Sequence, residues 1–271
     1  MIFFSLLLAQ YRPTQIPARA ELLYPRTESG QIGHKVLPEG AQDPPKEKPK
    51  PKVLFAVPFA VVPGRSTKVA VRGLLLDQAT EAMLGEAKVP IKSKAKSEPP
   101  KGQEADVVGN TQMELEIALP PDAAGKISLT VATTAGTAEP YEFLIVPAEK
   151  VTPEKEQNGG FATAQPIESG RIVQGSVSAA KDVDVFRIEG RAGERWTFEV
   201  TAHRHGSPLD ATLTLYDKAG RQLSTQDHGP GTRDPTLRAT LPADGVYFLS
   251  LVDAHDQGSP RHLYLLSVTR E

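Results

Sequence analysis

Five oxygen-bearing side chains form two short clusters: Glu154, Glu156 and Asn158 within one stretch, and Asp182 two residues from Asp184. Carboxylate and amide oxygens are the hard donors that Ca²⁺ takes, about six to eight of them at roughly 2.3–2.6 Å, with backbone carbonyls and water completing the shell. The pattern admits a calcium site. It equally admits acids that solvate the entrance to a domain, with an aspartate near Phe186 alternating outward from a strand.

Other chemistry is weakly signalled. His203, His205, His228, His255 and His262 fall in the same half of the chain as the acids. With Asp227, Asp253 and Asp256 near some of them a zinc site can be imagined, but the spacing matches no established ligand pattern. There is no G-x-S-x-G elbow, no H-E-x-x-H helix and no phosphate-cradling glycine loop. A serine hydroxyl needs an aligned base and an oxyanion site to act as a nucleophile, and neither is announced, so the expectation is a protein without catalytic activity. The absence of cysteine excludes thiolate metal sites, disulfides and cysteine nucleophiles.

The elements that must carry these residues read as strands. Met113 to Leu119 alternates strictly between apolar and polar, Val69 and Val71 share one side of their run, and Ile127 to Val131 and Tyr141 to Val146 follow. Further along, Trp196, Phe198 and Val200 point one way and Arg195, Thr197 and Glu199 the other, and Ala211 to Tyr216 runs into the turn Asp217-Lys218-Ala219-Gly220. Val246 to Val252 and His262 to Val268 complete a second set. Only Gln78 to Leu84 invites a helical turn, and Lys92, Lys94, Lys96 and Lys101 with Pro99-Pro100 read as a mobile basic loop. The fold class is all-β, two antiparallel β-sandwich domains, at 53–146 and 154–271, joined by a linker at 147–153.

Before the first strands, residues 21–52 are polar and end in alternating proline and lysine, the composition of an extended linker. Residues 1–20 open on an apolar run too short to cross a bilayer, the h-region of an export signal or an apolar start that becomes a buried strand or a frayed terminus. No other stretch reads as a membrane span. In 271 residues, 31 Lys plus Arg face 33 Asp plus Glu, a net charge of −2, which argues against a nucleic-acid partner.

Glu154 to Ile167, Gly175-Ser176-Val177, Asp182 to Ile188, Leu209-Asp210 with Leu213 to Asp217, and Leu241 to Leu251 occur in the order of the bacterial pre-peptidase C-terminal domain, which this half of the chain resembles. The resemblance implies a jelly-roll-like sandwich without catalytic activity, found on exported proteins. In its collagen-binding relatives the matching acidic positions hold calcium, which implicates Glu154, Glu156, Asn158, Asp182 and Asp184. The sequence departs from the pattern at Gln157, where proline is usual, and at Gly159, where Asn or Asp often adds an oxygen. Residues 53–146 resemble, more faintly, the immunoglobulin-like units that accompany this domain in planctomycete exported proteins. The expected function is a monomeric, exported binding or adhesion module, calcium-stabilised, for an extracellular or cell-envelope protein or polysaccharide. The alternative is a structural spacer of a larger exported peptidase or envelope assembly.

Overall fold

The computed structural model describes residues 49–271; the expected export signal and all but the last residues of the proline and lysine tract lie outside the described residues. Among the described residues no helix is long and apolar enough to cross a membrane. The described residues are nearly all β, two sandwiches in sequence.

In the first sandwich one sheet runs Lys52–Val57, Ser66–Leu74, Thr111–Ala118, Ile91–Lys96, all antiparallel. Opposite it lies a sheet of Ala60–Val61, Tyr141–Ile145, Gly125–Thr133, Ala79–Leu84 and Ala87–Lys88, with Gly136–Thr137 also on Gly125–Thr133. The alternation predicts the faces: Met113, Leu115 and Ile117 enter the core with Val69 and Val71, while Glu114 stays outside. Two local expectations change. Ala79–Leu84 is a strand, preceded by one short 3-10 turn at Leu76–Gln78. A bulge between Ala79 and Glu81 inserts an extra residue, so the buried side chains fall at Ala79, Ala82 and Leu84, and the first interval imitates a helix. Ile91–Lys96, expected in a loop, is an edge strand; its lysines keep the open edge charged, a usual protection against pairing with another chain.

In the second sandwich one sheet runs Val151–Pro153, Ile172–Ser176, Leu263–Arg270, Arg195–Thr201, Thr236–Thr240. The facing sheet runs Gln165–Pro166, Val183–Gly190, Gly245–Asp253, Ala211–Asp217, Gln222–Gln226. Trp196, Phe198 and Val200 meet Phe186, Ile188, Leu249 and Leu251 in its core.

The stretch 147–153, expected as a free linker, is built in. Pro147 to Lys150 turns, with the Lys150 amide donating to the Pro147 carbonyl at 3.0 Å, and Val151–Pro153 pairs in parallel with Ile172–Ser176. A third apolar cluster joins the sandwiches: Leu54, Phe55, Phe59, Val108 and Val146 pack with Leu263 and Leu265. The Ala60 amide crosses the same junction to donate to Gln174 Oε1 at 2.6 Å. At about 1.5–3 kcal/mol per fully buried large apolar side chain, this junction holds the two sandwiches in one compact unit. It also explains two uninterrupted apolar runs. Val53 to Ala56 and Leu263 to Leu266 are buried on both faces, one against their own core and one against the other sandwich.

Candidate functional site

The entrance to the second sandwich is held by the parallel pairing of Val151–Pro153, which continues in the Glu154 amide donating to Gln174 O at 3.0 Å. That fixes the backbone of Glu154 and directs its carboxylate inward. Oε2 accepts the Ser176 amide at 2.8 Å; Oε1 accepts the Tyr264 hydroxyl at 2.6 Å and Asn158 Nδ2 at 3.2 Å. Gly175 makes room for this. It sits opposite Tyr264 in the ladder, and a Cβ there would lie 2.2 Å from Glu154 Oε2 and 2.8 Å from Tyr264 Cζ.

Asp184 arrives from the facing sheet. It shares the inward parity of Phe186 and Ile188 on Val183–Gly190 and is fully buried, so the sequence expectation of an aspartate alternating outward does not hold. Its Oδ2 lies 2.9 Å from the Tyr264 hydroxyl, and its Oδ1, also buried, has no hydrogen-bond partner. A phenol has one proton and can donate it to one of these two carboxylates at a time. The other contact needs a second proton, and the electrostatics supply it: burial first, then the neighbouring Glu154, push Asp184 up to about 9. Near neutrality Asp184 therefore keeps its proton beside Glu154. Burial, followed by the charges of Asp184 and Glu154, raises Tyr264 well above an ordinary phenol.

The remaining predicted residues divide. Asn158 is buried beside Glu154, and its carbonyl accepts the Gly160 and Val185 amides at 2.8 and 3.2 Å, which ties the loop to the Asp184 strand. Glu156 is exposed at the mouth; burial of its carboxyl, then Glu154 and Asp182, raise it. Asp182 turns away, its Oδ2 accepting the Ser178 amide at 2.7 Å and the Ser178 hydroxyl at 2.9 Å, and it closes a turn. Among the described residues no group of three or more His, Asp or Glu side chains stands close enough to hold a metal ion as it is arranged. The two departures from the motif have backbone consequences. Gln157 sits at φ 70, which a proline ring cannot adopt, and a Cβ at Gly159 would lie 3.2 Å from the Val183 carbonyl.

Sequence reasoning missed Tyr264. Its signal was an aromatic with a polar tip at an inward position of an apolar strand, where a buried hydroxyl requires a partner.

The histidines serve other ends. His203 and His205 lie in a single 3-10 turn whose first amides are accepted by buried Asp234. His228 and His255 approach buried Asp210 at 3.1 and 3.5 Å, beside Arg233 at 3.6 Å. Ser259 Oγ meets His262 Nδ1 at 2.8 Å, but both residues are buried and the same hydroxyl accepts the Arg261 amide at 3.1 Å, so the pair stabilises a turn.

The second half of the chain is thus a two-sheeted β-sandwich with a buried carboxyl pair at its entrance. Residues 182–252 match the profile of the bacterial pre-peptidase C-terminal domain, and the C-terminal sandwich carries that domain. No curated protein matches the chain. Among solved structures, the pre-peptidase C-terminal domain of a Bacillus anthracis collagenase is similar at 15% identity, over 39% of this chain and 94% of that one, with a TM-score of 0.33. A periplasmic inhibitor of g-type lysozyme from Aeromonas hydrophila is similar at 16% identity, over 45% of this chain and 98% of its own, with a TM-score of 0.32. A mixed-linkage glucan utilisation protein of Bacteroides ovatus, SGBP-B, is similar at 14% identity over 78% of this chain and 42% of its own, with a TM-score of 0.27.

Proposed function

We propose that the protein is a non-catalytic, exported binding module that presents surfaces of two fused sandwiches to an envelope protein or polysaccharide, with Ca²⁺ stabilising the entrance of the second. The observation that carries the calcium reading is the buried Asp184 Oδ1 without a partner, in a carboxyl that burial and the neighbouring Glu154 keep protonated. Glu154, Asp184 and Asn158 would hold the ion, with Glu156 and Asp182 moving in from the mouth. The ion would supply the positive charge that the proton on Asp184 now supplies.

The non-catalytic reading is supported by the use of Ser259 and His262 within a turn and by the match of the second sandwich to a domain class of that kind. An ion bound by the folded state alone stabilises it by about 2.7 kcal/mol at a free concentration of about 100 times Kd. Calorimetry of the purified chain in millimolar Ca²⁺ and in chelator is expected to show a saturable rise in Tm that Asp184→Ala or Glu156→Ala removes. Superimposable melts would reject the calcium site. Retention on envelope fractions tests the binder; a chain that is never retained is a spacer, and hydrolysis abolished by a single Ser→Ala change would reject the non-catalytic reading.

A further inference from the structure

Between the sandwiches, beside the junction core, lies a cleft of about 270 Å³. Its floor is apolar, made of Leu54, Phe55, Phe59 and Leu263, and its rim carries Tyr141, His205 and Arg261. The charges around it are unevenly matched. Glu142 is paired with Lys126 at 3.0 Å, and Arg204 with Glu199 at 2.6 Å and Asp234 at 3.3 Å. Arg261 has no acidic partner among the described residues.

Its contacts are poor for a guanidinium. Nη1 reaches the Val107 carbonyl at 3.3 Å and Nη2 the Gly206 carbonyl at 3.4 Å, while Nε is buried with no partner. Burial lowers its affinity for the proton, and the phenol of Tyr141 is the one opposing influence. A charged-group hydrogen bond normally closes to about 2.7–2.9 Å, and a half-buried cation without an anion is a standing cost. The cleft thus holds a cation suited to a carboxylate beside a floor suited to an apolar group. A sugar would set hydroxyls against that floor without hydrogen-bond partners, whereas the last residue of a peptide brings an apolar side chain and a carboxylate on adjacent atoms.

We propose that this cleft captures the free C-terminal carboxylate of a peptide ending in an apolar residue, with Arg261 receiving the carboxylate and the side chain resting on Phe55, Phe59 and Leu263. The proposal rests on the reading of the protein as a binder and names the partner chemistry of one of its surfaces.

The test uses the purified full chain and fluorescein-labelled hexapeptides of random sequence ending in leucine, as the free acid and as the C-terminal amide, followed by anisotropy. The free acid is expected to saturate, and the amide or the Arg261→Gln variant to bind at least about tenfold more weakly, as loss of a charged hydrogen bond requires. Arg261→Lys should recover part of the affinity. Because the acid and amide arms compare two ligands on the unaltered protein, a variant that fails to fold does not decide the matter. Equal binding of acid and amide, or no binding of either, overturns the proposal. So does saturation by an oligoglucuronate that Arg261→Gln abolishes, which would make the cleft a site for acidic glycans. Equal retention of wild type and Arg261→Gln on envelope fractions would overturn the cleft while leaving the binder reading standing.

Discussion

The Tyr264 hydroxyl lies 2.6 Å from Glu154 Oε1, joining the last strand of the chain to the first residues of its second sandwich. Because the same oxygen stands 2.9 Å from Asp184, one phenol connects the entrance of the sandwich to both of its sheets. This contact is where stability, pH response and ion binding should meet.

Removing the hydroxyl should therefore be costly. Tyr264→Phe strips a donor from two buried carboxyl groups and should destabilise the protein by about 1–3 kcal/mol, the usual penalty for a buried polar group left unpaired. Chemical denaturation in chelator measures it; an unchanged midpoint would show that the phenol is not a structural donor.

Gly175→Ala should damage the same site without removing a polar group. The new methyl would meet Glu154 Oε2 at 2.2 Å, so either the carboxylate or the Tyr264 ring must leave its place. The expected result is a lowered melting point together with loss of any calcium response. A wild-type melt would show that the strands separate easily at this point.

The pH dependence follows from Asp184, raised to about 9 in the folded protein against an ordinary carboxyl of about 3.9 in the unfolded chain. The folded state then binds more protons between those values. Its contribution to stability is full below the unfolded value and is lost as pH rises towards the folded one. In chelator, stability should decline from about pH 5 to pH 9, and Asp184→Asn should flatten the decline. A slope unaffected by Asp184→Asn would assign the response to other groups.

The junction predicts a single thermal transition for residues 53–271. Phe59→Ala, which removes a large side chain from the shared cluster, should cost about 3–5 kcal/mol and separate the melt into two transitions. Two transitions in the wild type would mean that the sandwiches unfold independently.

Limited trypsin digestion offers a complementary view. Lys150 lies in a turn whose backbone is held by the Ile172 amide donating to the Lys150 carbonyl at 2.9 Å, whereas Lys101 sits in an exposed turn. Cleavage after Lys101 should precede cleavage after Lys150, because opening the latter breaks a sheet. The reverse order would show that the 147–153 segment opens as a tether.

Strand parity was legible in the sequence wherever one face of a sheet meets a core and the other meets water. Period-two alternation placed Trp196, Phe198, Met113 and Ile117 correctly, and the resemblance named the domain whose profile matches residues 182–252. Alternation fails where both faces are covered. Leu54, Phe55, Leu263 and Leu265 break the pattern because a second sandwich packs on them, and no local signal names that neighbour. The convergence of Glu154, Asp184 and Tyr264 was decided by tertiary structure alone. Inward parity brings Asp184 to Tyr264 from the facing sheet, while Gly175 leaves the space that the Glu154 carboxylate occupies beside the ring. The sequence by itself determined which residues could carry charge and which strands would form. Which carboxyl is kept protonated, and that the two sandwiches pack together, depends on contacts between residues 80 to 114 positions apart, which only packing sets.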